Sequence, residues 1–290
     1  MRLALLADIH GNQPALEAVL EALKHDAPDG ILVAGDWISG PWDNKVLSTL
    51  EEYADASVLG NTDIRLLEYL DGKTPEIWSR LKQFELLRWN ARHINAHCLE
   101  LLRRMPEQRL VNFDGTSPIR VVHGSLENPF EGLSNNRKVE RLDRTFAELQ
   151  EDVLLCGHTH YPMVVERDGK LIVNPGSVAA PLNGDTHAQY ALLEWSDKRW
   201  QAELKRVAYD HQPVIQKFRE SGMLAECGVF GRIFLETILS GEDITLLFFN
   251  HIDYLATMRG IELDSYLPDE IWEEADRSFD WKAIQKRRHD

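Results

Sequence analysis

A chain of 290 residues is long enough to bury a sizeable core in one large globular domain or two smaller ones, and its 43% hydrophobic and 27% charged content excludes a disordered polymer. Its 47 acidic against 32 basic side chains give a net charge of −15, which excludes broad non-specific capture of extended DNA or RNA. A small anionic substrate stays admissible, because a bound cation can reverse the sign of the field locally.

Residues 2–7 form an unbroken apolar run that stops at Asp8, the pattern of a strand buried on both faces. Asn12 is a candidate cap for the helix that follows, where Leu16, Val19, Leu20 and Leu23 recur at helical spacing. Short apolar runs at 31–34 and 57–59 end at Gly35-Asp36 and Gly60-Asn61, so the first 63 residues read β-α-β-α-β with a polar residue at the end of every strand. In an open α/β sheet that edge is where ligands bind. Residues 74–105, without internal Pro or Gly after Pro75, are expected to be largely helical.

The texture then turns to β, with strands predicted at 108–113, 119–122, 153–156, 163–166, 171–173, 190–193 and 202–206, and one helix at 136–150. Arg167-Asp168-Gly169-Lys170 and Ser196-Asp197-Lys198 are hairpin turns in this reading. After about residue 208 the strands cease, and amphipathic helices are predicted at 212–225, 228–240, 243–258 and 267–287. The expected division is therefore an α/β domain over 1–207 and a helical extension over 208–290.

No run approaches the roughly 18 apolar residues of a membrane span, and Asp8 and His10 interrupt the N-terminal run too early for a secretory signal. Three scattered cysteines, Cys98, Cys156 and Cys227, form no CxxC pair and suit a reducing, cytoplasmic setting.

Five clusters carry the chemistry: Asp8-Ile9-His10, Gly35-Asp36, Gly60-Asn61-Thr62-Asp63, His123-Gly124 and Gly157-His158-Thr159-His160. Each directly follows a predicted strand, and each has Gly nearby to let the backbone turn sharply. Read alone, Asp8 is a turn residue or cap and His123 a satisfied core histidine. A His-x-His pair on a strand points both rings to one face, and all five clusters at one sheet edge point to metal binding. The donors are carboxylate, imidazole and amide without thiolate, which suits first-row divalent ions. Two carboxylates, four histidines and an amide exceed the needs of one ion; two ions about 3.5–4 Å apart would use them all.

The ordered set D-x-H, G-D, G-N-x-D, H-G and G-H-x-H resembles the calcineurin-like metallophosphoesterases over residues 1–206, and Asn174-Pro175-Gly176-Ser177-Val178 resembles their small bacterial and archaeal phosphodiesterase branch. The resemblance implies a four-layer αββα sandwich and two divalent metals, Mn favoured over Fe, Zn, Co or Ni. It implies that Asp8, His10 and His160 hold the first ion, that Asp36 bridges, and that Asn61, His123 and His158 hold the second. The implied reaction is hydrolysis of a small phosphorylated substrate by a metal-bridging hydroxide, with Asp36, Asn61 and His123 in the catalytic set.

Two positions depart from the family pattern. Thr62 stands where many members carry the histidine that protonates the leaving group, and Trp37-Ile38-Ser39-Gly40 lacks the further Asp that often follows the second motif. Threonine is no acid near pH 7, and losing a general acid costs about 10²–10⁴ in rate, so good leaving groups and diesters are favoured over alkyl monoesters. A protein or nucleotide monophosphatase is the alternative within the fold, and a non-catalytic interaction scaffold the alternative outside enzymology.

Trp272, Phe279 and Trp281 in the extension are read as core packing of a helical appendage; exposed, they would serve such a scaffold as a partner surface. Asp63 is expected to orient a metal ligand. Trp37 and Trp42 are read as packing, His93 and His97 as a solvated helix face, Arg137 and Arg141 as helix-surface charge, and Cys156 as an inert core thiol.

Overall fold

The structure, a computed structural model, describes residues 1–261 and 266–287. The first half alternates as expected: β1 (Arg2–Leu6), α1 (Gln13–Asp26), β2 (Gly30–Val33), α2 (Asp43–Tyr53), β3 (Ala56–Ser57) and α3 (Asn61–Leu70). Asn12 caps α1, its side-chain oxygen accepting from the Ala15 amide at 3.2 Å. The second half supplies β4 (Gln108–Val111), β5 (Ile119–Val122), α6 (Val139–Glu148), β6 (Val153–Leu155), β7 (Met163–Arg167), β8 (Lys170–Asn174), β9 (Ala188–Ser196) and β10 (Arg199–Val207). Two-residue loops join β7 to β8 and β9 to β10, and Asp168, Gly169, Asp197 and Lys198 all take the positive φ that such hairpins need.

The strands form two five-stranded mixed sheets, ordered β10-β9-β1-β2-β3 and β4-β5-β6-β8-β7. Leu3, Leu5, Ala7, Leu32 and Ala34 of the first sheet pack against Ile119, Val121, Val153, Leu155, Leu171 and Val173 of the second. The alternate residues of the first sheet, Ala4, Leu6, Ile31 and Val33, meet α1, α2 and the helix 96–104 on its other face. Val122, Leu154, Met163 and Ile172 of the second sheet receive Leu142 and Phe146 of α6. The layers therefore run helix, sheet, sheet, helix. Strands β1 and β2, and likewise β5, β6 and β8, are parallel neighbours, so the loops after them emerge at common edges.

Residues 74–105 are largely helical, as expected, but in pieces: two short 3₁₀ turns, Glu76–Ser79 and Lys82–Phe84, then α4 (Glu85–His93) and α5 (Ala96–Arg104). The Arg88 guanidinium donates to the carbonyls of Trp78 (2.6 Å) and Leu81 (2.8 Å), satisfying backbone acceptors that a continuous helix would have satisfied itself. The predicted helices 212–225 and 267–287 are likewise divided. The extension comprises α7 (Gln212–Glu220), α8 (Met223–Cys227), α9 (Val229–Ser240), α10 (Ile244–Met258), α11 (Asp269–Ser278) and α12 (Trp281–Arg287). The breaks fall at Gly222, in the left-handed region, and at Phe279, which is extended and packs its ring on Phe248 and Trp281.

The aromatic residues of the extension are core, the reading the sequence favours for them. Trp272 and Trp281 are buried, and Phe279 is half-buried against the same apolar cluster as Phe248, Ile252 and Ala275. They build the interior of the extension. A further cluster joins that extension to the α/β layers: Val214, Phe218, Met223, Leu235 and Ile238 pack on Trp89, Ala179 and Ala180. Phe218→Ala, at a position 1% exposed, is expected to lower unfolding free energy by about 3–5 kcal/mol in equilibrium denaturation, with circular dichroism as the readout.

Candidate metal centre

All seven expected residues stand at the ends of strands or the start of a helix at one edge of the sandwich. Asp8 and His10 follow β1, Asp36 follows β2, and Asn61 opens α3; His123 follows β5, and His158 and His160 follow β6. Five of them, Asp8 (φ 55°), His10 (43°), Asp36 (53°), His158 (67°) and His160 (57°), adopt left-handed backbone. Such geometry costs a non-glycine residue of order 1–3 kcal/mol and persists only where the surroundings over-determine it.

The surroundings do so through cross-ties between loops. The amides of Ile9 and His10 both donate to the Asp36 carbonyl, at 2.9 and 3.0 Å, and the Asp8 amide to Gly35 at 3.1 Å. Asn174 donates from its side chain to the Gly157 carbonyl (2.7 Å) and to Thr159 Oγ1 (3.0 Å), while Ser177 Oγ donates to the Asp8 carbonyl at 2.8 Å. The stretch 174–178 thus buttresses two of the motifs. Gly60 is required by close approach: a Cβ there would lie 2.0 Å from Asp36 Oδ1 and 2.2 Å from the Asp36 amide nitrogen. The His-x-His pair follows a strand, as each cluster is expected to, and does not lie on one, so strand alternation is not what aligns its rings. Strand β6 ends at Leu155, and two left-handed residues flanking Thr159 bring the rings toward the same edge.

The histidine tautomers follow from their partners, since a carbonyl can only accept. His10 Nδ1 donates to Ile38 (3.0 Å), His123 Nδ1 to Ala34 (2.7 Å) and His160 Nδ1 to Ala180 (2.7 Å). In their neutral forms all three turn an Nε2 lone pair inward, the arrangement that fixes a metal-ligating imidazole. His10 Nε2 and His160 Nε2 stand 3.1 Å apart, two acceptors facing each other. His160 Nε2 lies 3.4 Å from Asp8 Oδ1, and His10 Nε2 3.5 Å from Asp36 Oδ2. On the other side His123 Nε2 lies 3.4 Å from Asp36 Oδ2 and 2.9 Å from Asn61 Oδ1, which also faces His158 Nδ1 at 2.7 Å. Two donor groups result, Asp8-His10-His160 and Asp8-Asp36-His123, each with atoms close enough to share one ion. Two buried carboxylates with imidazole Nε2 atoms turned toward them form a donor set that fits a cation.

Asp36 and Asp8 are held apart in role by their hydrogen bonds. Thr62 donates to Asp36 Oδ1 from both its amide and its hydroxyl, each at 2.9 Å, leaving Oδ2 between His10 and His123. Asp8 accepts from the His158 amide at 3.1 and 3.2 Å. Burial opposes ionisation of both carboxyls, yet His123 keeps Asp36, and His160 keeps Asp8, below the ordinary aspartate range. Burial also disfavours the charged form of His123, but Asp36 overrides it and raises that imidazole to about 9. His158 is lowered to about 4, first by burial and then by His123.

The residues around the ligand set take structural roles. Asp63 does not touch a metal ligand's side chain; its carboxylate accepts from the amides of Trp37 (3.1 Å) and Gly60 (2.8 Å), so it fixes the two loops that carry Asp36 and Asn61. Trp37 is 1% exposed with its indole N–H on the Val58 carbonyl, which makes it packing. His93 ends α4 and bonds the Trp89 carbonyl, whereas His97 pairs with Glu51, so the two do not converge. Cys156 is buried, its thiol pushed up to about 12 by burial and by Asp8, and is inert.

The sequence reading missed Phe234 of α9, whose ring meets His10 edge-on at 5.7 Å between centroids. It also missed Ala180, whose carbonyl orients His160. Neither carries a motif, and only the packing of the extension on the α/β layers brings Phe234 there.

Among the described residues no helix is long and apolar enough to cross a membrane. The family profile of the calcineurin-like phosphoesterase superfamily domain matches residues 1–198. An uncharacterised protein of Methanocaldococcus jannaschii, MJ0912, is 26% identical over 74% of this chain and 90% of its own. The phosphodiesterase YfcE of Escherichia coli K12 is 29% identical over 67% of this chain and 88% of its own. The crystal structure of a metallophosphoesterase from Sphaerobacter thermophilus superposes with a TM-score of 0.67 at 25% identity, covering 83% of this chain and 99% of that one.

Asp36 raises His123 to about 9 and Asp8 raises His160, each against burial, so a cation bound at their Nε2 atoms displaces protons. Affinity for a divalent ion is expected to rise with pH up to about 9. Isothermal titration in buffers of different ionisation enthalpy at pH 7 is expected to read net proton release; proton-neutral binding would contradict the arrangement.

Proposed function

This chain belongs to the calcineurin-like phosphoesterase superfamily, and on that premise we propose that it is a dinuclear metal-dependent phosphodiesterase acting on a small phosphorylated substrate. The observation that carries the reading is the position of Asp36 Oδ2, 3.5 Å from His10 Nε2 and 3.4 Å from His123 Nε2, within reach of a proposed ligand of each ion. Asp8, His10 and His160 would hold one ion, Asn61, His123 and His158 the other, with Asp36 shared. The thiolate-free donors suit manganese, with iron, zinc, cobalt or nickel as substitutes. A bound pair of such ions supplies hydroxide at neutral pH and offsets charge on the phosphoryl oxygens.

The protein's own groups do the rest. His10, His123 and His160 are oriented by backbone carbonyls before any ligand arrives, and Thr62 holds Asp36 through its outer oxygen. Asn61 turns its carbonyl to the two histidines, which leaves its amide N–H₂ to donate to a phosphoryl oxygen. Thr62 has its hydroxyl committed to Asp36, so it supplies no proton to a departing alkoxide. That commitment supports substrates whose leaving groups depart without protonation: diesters with stabilised leaving groups, and anhydrides. The YfcE homologue, itself a phosphodiesterase, supports the same preference.

Chelator-stripped protein is expected to lose hydrolysis of bis(p-nitrophenyl) phosphate and to regain it on addition of Mn²⁺. Turnover of the diester is expected to exceed that of p-nitrophenyl phosphate, and Asp36→Asn to lower the diester rate by at least about a hundredfold. Equal activity with and without metal, or a monoester preference, would overturn the proposal.

A further inference from the structure

A cleft of about 570 Å³ opens beside the metal centre, sharing His158 as part of its wall. Its opposite wall is the segment 132–138 leading into α6. Contact between the walls is direct, since a Cβ on Gly132 would lie 2.6 Å from Thr159 Cγ2 and 3.1 Å from His158 Cδ2. The segment is shaped by Ser134, whose hydroxyl accepts from the amides of Asn136 and Arg137, both at 3.3 Å. It is tied down by Glu131, which pairs with Arg141 (2.9 Å) and Arg144 (2.9 Å).

Arg137 and Lys138 differ from these neighbours. Both line the cleft, both are exposed, and among the described residues neither side chain lies within ion-pair reach of a carboxylate, whereas Arg141 is partnered by Glu131. The lining also holds one carboxylate, Asp243, which accepts from the Leu246 amide at the start of α10; against it the two unpaired cations are a local excess of positive charge in a chain of net charge −15. Leu133, Pro162, Met163 and Leu182 add apolar surface to the same lining, the composition that receives a ring or a sugar face.

We infer that Arg137 and Lys138 form a subsite for a second phosphate, borne by the part of the substrate remote from the scissile phosphorus. The substrate class is then a diester or anhydride that carries a further terminal phosphate on a ring-bearing body, such as a phosphorylated dinucleotide. This rests on the phosphoesterase reading for its scissile end, but the subsite is defined by its own cations and is tested by binding as well as by turnover.

The probes are the thymidine dinucleotide with and without a 5′-terminal phosphate, measured by isothermal titration against metal-free protein and by hydrolysis with Mn²⁺. Wild type is expected to bind the phosphorylated probe about tenfold more tightly, the effect of one or two charge-assisted contacts. Arg137→Ala/Lys138→Ala is expected to bring that ratio to about one, and Arg137→Lys to retain most of it. Both changes lie on the exposed segment, and an unchanged melting temperature and Mn²⁺ affinity show that the fold and centre are intact. An equal affinity of wild type for the two probes, or a ratio unaltered in the double variant, overturns the subsite. Preferential binding that the double variant abolishes, without hydrolysis of either probe, upholds the subsite and instead counts against these compounds as substrates.

Discussion

Two buried aspartates, Asp8 and Asp36, set the problem that the rest of the site solves. They are 0% and 2% exposed and face one another across a cluster of imidazoles. Like charges in a medium of low effective dielectric repel strongly, and each carboxylate also forfeits its hydration. Hydrogen bonds from the His158 amide to Asp8 and from Thr62 to Asp36 offset part of that loss. The imidazoles offset more when protonated: without a cation Asp36 raises His123 to about 9, and the second proton sits at Nε2, because Nδ1 already donates to the Ala34 carbonyl. A divalent cation at the inward Nε2 atoms would take the place of such protons and leave the Nδ1 hydrogen bonds intact, which makes the arrangement intelligible as a metal centre.

Holding such a cluster requires backbone that would not choose its own conformation. Asp8, His10, Asp36, His158 and His160 sit in left-handed geometry, so several kcal/mol of local strain is distributed over the ligand loops. The offset comes from parallel strands whose ends share an edge, and from ties between the loops beyond them. Asp63 clamps the loops of Asp36 and Asn61, and Asn174 and Ser177 clamp those of His158 and Asp8. Because the ligands are fixed beforehand, little conformational entropy is left to lose when ions and substrate bind.

Much of this was legible in the chain because strand burial and strand-end chemistry leave local marks. Apolar runs that stop at Asp8, Asp36 and Asn61 announced both the parallel sheet and its functional edge, and all seven ligand candidates meet there. What was illegible depends on contacts remote in sequence. The His-x-His spacing is the same whether the pair lies on a strand or in a turn, and only the end of β6 at Leu155 decides it. Likewise nothing local forecasts that the Thr62 hydroxyl is spent on Asp36, or that Phe234, far along the chain, closes over His10.

The central claim is that seven side chains gather two divalent ions with Asp36 between them. A crystal structure of the Mn²⁺-loaded protein, with ions located by anomalous scattering, tests it most directly. The account predicts two peaks about 3.5–4 Å apart, both within bonding distance of Asp36. One ion only, or a pair that leaves Asp36 unliganded, would contradict it.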